Sequence, residues 1–126
     1  MDYQKAFKLW LPAIFWCVVI FVLSSLPGAD FAEGKSTDFT VRKILHVAEY
    51  AILYLTFYRG SKNIFVSFFL SLLYSVSDEV HQSFTPTRTG KVSDIFIDGL
   101  SSGVTALILW KYFQNLPQKL KTWLSE

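Results

Sequence analysis

Residues 9–26 read LWLPAIFWCVVIFVLSSL, eighteen positions without a charge. A helix needs about 20 apolar residues to cross hydrocarbon, and about 17 at the short end. The run predicts a transmembrane helix, and that reading governs how the rest of the chain is taken. A secretory signal is one competitor, because LPGA at 26–29 offers a small-residue cleavage site. Its apolar region would run to only about 7–15 residues, which argues against it. A soluble bundle is the other competitor. It requires a polar face on each helix, since four helices cannot all be the central one. This segment has no charge on any face.

Composition agrees. The chain has 126 residues, 52% of them hydrophobic, 17% aromatic and 17% charged, with a mean hydropathy of +0.33. Soluble domains are about 25% charged. The length is that of one domain, residues 1–126. A net charge of +2 without a basic run excludes a nucleic-acid surface. The single cysteine, Cys17, excludes an internal disulfide and a thiolate metal cluster, and reads as a small core residue.

Working outward from the first apolar run, residues 1–8 form a short basic head and 27–40 a loop. Residues 41–58, VRKILHVAEYAILYLTFY, are helical by length and periodicity, with Thr37 or Thr40 as cap. Residues 59–63 read as a tight turn. A third helix spans 64–84, apolar through Ser77 and polar beyond it. The loop TPTRTGK at 85–91 contains the breakers Pro86 and Gly90. A fourth helix spans 92–113, and a basic tail containing Trp123 follows. The expected fold is all-α, an integral membrane bundle of four transmembrane helices with the lipid bilayer as its first partner.

Orientation follows from lysine and arginine. With a cytoplasmic N-terminus, Lys5, Lys8, Arg59, Lys62, Lys111, Lys119 and Lys121 lie inside. Lys35, Arg42, Lys43, Arg88 and Lys91 lie outside. Seven against five places both termini in the cytoplasm.

This topology brings three polar groups, distant in sequence, to one membrane depth. Lys43, His46, Glu49 and Tyr50 share a face of the second helix. Asp78, Glu79, His81 and Gln82 close the third, and Asp94 and Asp98 are one turn apart on the fourth. An ionisable group at a transmembrane helix centre costs about 2.5–3.5 kcal/mol. Ion pairs that fix helix packing would account for one or two such groups. Five carboxylates and two histidines point to a site.

Three chemistries fit these residues. The i,i+3 pairs His46–Glu49 and Asp78–His81 resemble the ligand pairs of metal-binding bundles, so a divalent metal is one reading and the cofactor stays open. Acid–base chemistry without metal is the second, with His46 as general base among carboxylates. In the third, Arg88 and Lys91, the threonines at 85, 87 and 89 and the start of the fourth helix favour a phosphate, carried by a lipid headgroup or a lipid-linked precursor. The candidate catalytic groups are His46, Glu49, Asp78, Glu79, Asp94 and Asp98, and the candidate binding groups are Lys43, Tyr50, Gln82, Arg88 and Lys91. Gly99 and Gly103, with Ser102 and Ala106, predict close packing of a neighbouring helix. Trp10, Trp110 and Trp123 read as interfacial anchors, and Trp16 as a residue packed in the bundle.

Four pieces in order, FVLSSLP at 21–27, RKILHVAEYAIL at 42–53, SDEVHQSFTPTR at 77–88 and SDIFIDGLSSGV at 93–104, resemble the VanZ-like family of small bacterial membrane proteins. The resemblance implies a multi-pass protein of the bacterial cell (inner) membrane. The family's namesake is associated with reduced susceptibility to the glycopeptide teicoplanin. By match to the family's recurring positions, Lys43, His46, Glu49, Asp78, Glu79, Gln82, Arg88, Asp94 and Asp98 form the polar signature. Two positions depart from it. Leu26 stands where members often have Gln, and Thr87 where they have Gly before the arginine, a residue type that disfavours positive φ.

Three functions follow as expectations. The first is an intramembrane enzyme acting at the outer face on a lipid-linked or phosphate-bearing envelope substrate. The second is a non-catalytic binding or resistance protein that masks an envelope target or drug. The third is an ion or proton transporter, for which four short helices leave little room without an oligomer. The sequence leaves the oligomeric state open.

Overall fold

The computed structural model describes residues 2–26, 35–86, 88 and 90–126, with side chains in the second helix from residue 40 onward. Helix α1, Tyr3–Ser25, begins six residues before the apolar run because Asp2 caps it, accepting from the Gln4 and Lys5 amides at 3.1 and 3.4 Å. Helix α2, Lys35–Ser61, is 27 residues long, about 40 Å at 1.5 Å per residue. It extends the predicted 41–58 at both ends. Thr37 and Thr40 lie inside it rather than at its start, and Arg59 to Ser61 are its last turn rather than part of a loop.

The turn that remains is Lys62 and Asn63. Lys62 takes φ 54, the left-handed region, and reverses the chain. Asn63 then caps helix α3, Ile64–Ser83, its side chain accepting from the Phe65 and Val66 amides at 2.9 and 3.1 Å. Asn63→Ala leaves those amides unpaired and is expected to cost about 1 kcal/mol, read from unfolding of the purified protein in mixed detergent micelles. Helix α4, Val92–Tyr112, runs into a 3₁₀ turn at Phe113–Asn115. The segment read as a basic tail is a fifth helix, α5, Gln118–Ser125. Its signal was present: Pro117 precedes Leu120, Trp123 and Leu124, an i,i+3,i+4 apolar set.

Successive helices alternate in direction. α2 is central, packing on α1, α3 and α4, and α3 also packs on α4. Tyr74 donates to the Cys17 carbonyl (2.5 Å) and so ties α3 to α1. Trp16 donates to the Glu49 carbonyl (2.9 Å), which places it inside the bundle as expected. Trp10 sits closer to the core than an interfacial anchor, its ring against Phe57 and the bare backbone of Gly60. The glycine face of α4 meets α3 as predicted, most tightly at Gly99, where an added Cβ would lie 3.0 Å from Leu72. Gly103 has ordinary clearance from Phe68.

The distribution of polarity is inverted relative to a water-soluble protein. Among the described residues nine hydrophobic side chains are buried, against fourteen polar or charged ones. Ser67, Ser71, Ser75, Asp78, Asp98 and Ser102 face inward, while Phe15, Phe65, Phe69, Phe96 and Leu107 are all more than 60% exposed. Lipid tolerates such a surface, and buried hydroxyls and small residues hold helices together within it. Three helical stretches among the described residues are long and apolar enough to cross a membrane: Tyr3–Ser25, Ile64–Ser83 and Val92–Asn115. α2 is not among them. Lys43, His46, Glu49 and Arg59 interrupt its apolar stretch, and it occupies the centre of the bundle, where a polar face is useful.

One end of the bundle is closed. Arg59 donates to the Trp123 carbonyl, pairs with Glu126 at 3.3 Å and lies 4.8 Å over the Trp123 ring. Lys62 donates to the Leu124 carbonyl at 2.5 Å. α5 is thereby fastened across the ends of α2 and α3. The polar groups singled out in the sequence gather at the opposite end.

Candidate functional site

That opposite end is assembled from all four long helices. α2 and α4 run parallel, so their contacts advance together along both helices: Lys43 pairs with Asp94, His46 with Asp98, and the Val47 carbonyl accepts from Ser101. The helical repeat that put Lys43 and His46 on one face also spaces Asp94 and Asp98 one turn apart to meet them.

Asp98 is fully buried. Its Oδ1 lies 3.1 Å from His46 Nδ1, and its Oδ2 accepts from Ser75 at 2.7 Å. Ser75 continues the inward row of Ser67 and Ser71 at four-residue spacing, which makes it the α3 residue opposite Asp98. With a hydrogen on Nδ1 facing the carboxylate, the neutral imidazole would present Nε2 as its basic nitrogen. Tyr50 lies one turn deeper, fully buried, its ring parallel to His46 at 6.5 Å. Its hydroxyl lies beside Ser75 without closing a well-formed hydrogen bond.

The carboxylates of α3 turn in two directions. Asp78 faces α1, accepting from Ser24 through Oδ1 and from Gln82 at 3.1 Å through Oδ2. Gln82 also donates to Ser24 at 3.2 Å. Glu79 faces α4. Its Oε2 accepts from the Lys91 amide at 2.8 Å, and its Oε1 is buried without a partner. Glu79 thus occupies a helix N-terminus that the sequence offered to a phosphate. Gly90 makes this approach possible, since a Cβ there would collide with the Glu79 carbonyl.

Arg88 is half-buried, an electrostatic neighbour of Glu49, and its Nε lacks a partner. The Lys91 side chain is exposed, and the Thr85 hydroxyl is used on the His81 carbonyl at 3.2 Å. Thr87 and Thr89 lie outside the described residues. Of the donors read as phosphate ligands, Arg88 and Lys91 remain open to one.

Two groupings differ from the i,i+3 pairs drawn from sequence. His46 groups with Glu79 and Asp98, one ligand-type atom of each within 4.8 Å of the others, while Glu49 stays its electrostatic neighbour. His81 leaves Asp78 to stack on Phe21, centroids 4.4 Å apart, with Nε2 3.4 Å from Ser25. Two members of the site escaped sequence reading, Ser24 and Ser75. Each is a serine within an apolar helix, which signals an inward face but names no partner.

Chemically, the cluster offers a carboxylate-oriented imidazole, a free carboxylate oxygen on Glu79, and an arginine and a lysine beside them. That set is suited to holding an anion and moving a proton. Comparison with curated proteins and with solved structures gave no match. The polar signature instead falls within a family model described as VanZ/LLP1, which covers residues 9–114 of this chain, and the protein therefore belongs to the VanZ-like family.

Proposed function

We propose that this protein is an intramembrane enzyme of the bacterial cell membrane that acts at the outer face on a lipid-linked, phosphate-bearing envelope substrate. In this reading α2 also crosses the bilayer, both termini are cytoplasmic, and the α5 end lies inside. The observation that carries it is the His46–Asp98–Ser75 chain, an imidazole held by a fully buried carboxylate. Packing alone gives no reason to place a histidine and a carboxylate where hydrocarbon would serve.

The roles follow from position. Asp98 fixes the imidazole so that Nε2 of His46 takes a proton from the attacking group. Arg88 and Lys91 neutralise the phosphate. Lys43 with Asp94, Ser24 with Asp78 and Gln82, and Tyr50 hold the frame, and Glu49 balances Arg88. Family membership is consistent with an envelope-associated or resistance-associated role, so the cellular readout is teicoplanin susceptibility. His46→Ala and Asp94→Asn, expressed at normal level, are expected to remove the effect of the wild-type gene on susceptibility. Full retention by both variants rules the enzyme out.

The pairs Lys43–Asp94 and Ser24–Asp78 are already closed, which favours a second reading, a non-catalytic binder of the same ligand. It predicts that Asp94→Asn and Asp98→Asn are tolerated while changes at Arg88 are not.

A further inference from the structure

We infer that His46, Glu79 and Asp98 form a binding site for one divalent transition-metal ion of the manganese or zinc kind. The proposal deepens the enzyme reading and alters one role in it: His46 becomes a ligand, and a water on the ion takes over as the activated base.

The first argument is how the carboxylates are held. Each of the two spends one oxygen on the scaffold and keeps the other for the centre. Asp98 gives Oδ2 to Ser75 and turns Oδ1 to His46. Glu79 gives Oε2 to the Lys91 amide, which leaves Oε1. Glu79 is 4% exposed, and Oε1 is buried with no hydrogen-bond partner. An anionic oxygen in that position costs several kcal/mol unless a cation or a proton meets it. Contacts from a ligand's second atom are the usual means by which metal ligands are oriented.

The second is spacing. One ligand-type atom from each of the three residues lies within 4.8 Å of the other two, and His46 Nδ1 is 3.1 Å from Asp98 Oδ1. Two donors about 2.1 Å from one ion, at right angles, stand about 3.0 Å apart. An ion thus replaces the hydrogen between Nδ1 and Oδ1 with little movement of either side chain.

The third is charge. Five carboxylates, Glu49, Asp78, Glu79, Asp94 and Asp98, gather here; Lys43 pairs with Asp94 and Arg88 lies near Glu49, while the charged neighbours of Glu79 are Asp94, Asp98 and His46. A divalent ion between Glu79 and Asp98 offsets their mutual repulsion. One imidazole with two carboxylates favours manganese or zinc over calcium, which takes six to eight oxygens, and the ion's remaining positions stay open to water or phosphate.

The test is metal content of the protein purified without a histidine tag, by elemental mass spectrometry after equilibration with MnCl2 or ZnCl2 and removal of free ion. Wild type is expected to carry about one equivalent per chain. His46→Ala, Glu79→Gln and Asp98→Asn are expected to lose it, and Asp78→Asn, outside the triad, to retain it. Ser75→Ala is expected to bind about 10- to 100-fold more weakly. For wild type alone, thermal stability should rise with MnCl2 concentration, a readout independent of whether the variants fold. Wild type without bound metal and without thermal shift overturns the proposal, as does equal metal in wild type and the three triad variants. A metal-free wild type whose His46→Ala variant still loses cellular function would sink the metal site and leave the enzyme reading standing. A metal-loaded protein whose triad variants keep full cellular function would do the reverse.

Discussion

Asp98→Ala is expected to destabilise the bundle by about 3 kcal/mol or more, whereas Asp98→Asn keeps stability within about 1 kcal/mol of wild type yet loses function. Asp98 has no exposure to solvent and serves two partners, Ser75 and His46. Alanine leaves both facing a void, and a buried polar group without a partner costs about 1–3 kcal/mol, to which the cavity adds. Asparagine is nearly isosteric and offers an oxygen to one partner and an amide to the other. What it lacks is the charge that holds the imidazole for proton transfer or completes a metal site. Unfolding in mixed micelles reads the first effect, and glycopeptide susceptibility reads the second. Equal stability of the two variants would contradict the placement of Asp98.

Lys43→Met should cost about 3 kcal/mol, because it leaves the Asp94 carboxylate in a nearly buried position without its ammonium partner. Asp94→Leu should also destabilise, since it removes the carboxylate that the Lys43 ammonium meets. The double variant Lys43→Met/Asp94→Leu should recover most of the loss, since two apolar groups of similar shape replace a pair whose desolvation offsets much of its attraction. The double-mutant cycle reports this as a coupling energy. Additive losses would show that Lys43 and Asp94 do not depend on each other.

The fold was largely legible because hydrocarbon imposes a strict rule. An uncharged run such as 9–26 has few soluble alternatives, and the boundaries of α3 and α4 follow from Asn63 and from Pro86 and Gly90. What escaped was helix that apolar length does not report. α2 begins at Lys35 in a polar stretch, and α5 is short and basic. Periodicity gathered the site residues onto the correct faces, since Lys43, His46 and Tyr50 all point inward. Partners were another matter. Asp78 and Glu79 are adjacent, so their side chains leave the helix about 100° apart, one towards Ser24 on α1 and the other towards α4. Which neighbour stands on each side is decided by packing of the whole bundle, and spacing within one helix carries no record of it.

The proposed ligand of the bundle's polar end is a phosphate-bearing lipid. Native mass spectrometry of the purified protein tests it most directly, with a long-chain isoprenyl phosphate and the corresponding neutral alcohol as matched probes. One phosphate-bearing lipid should bind per chain in preference to the alcohol, and Arg88→Gln should remove that preference while His46→Ala retains it. Equal binding of both lipids to wild type, or a preference unchanged in Arg88→Gln, would contradict the account.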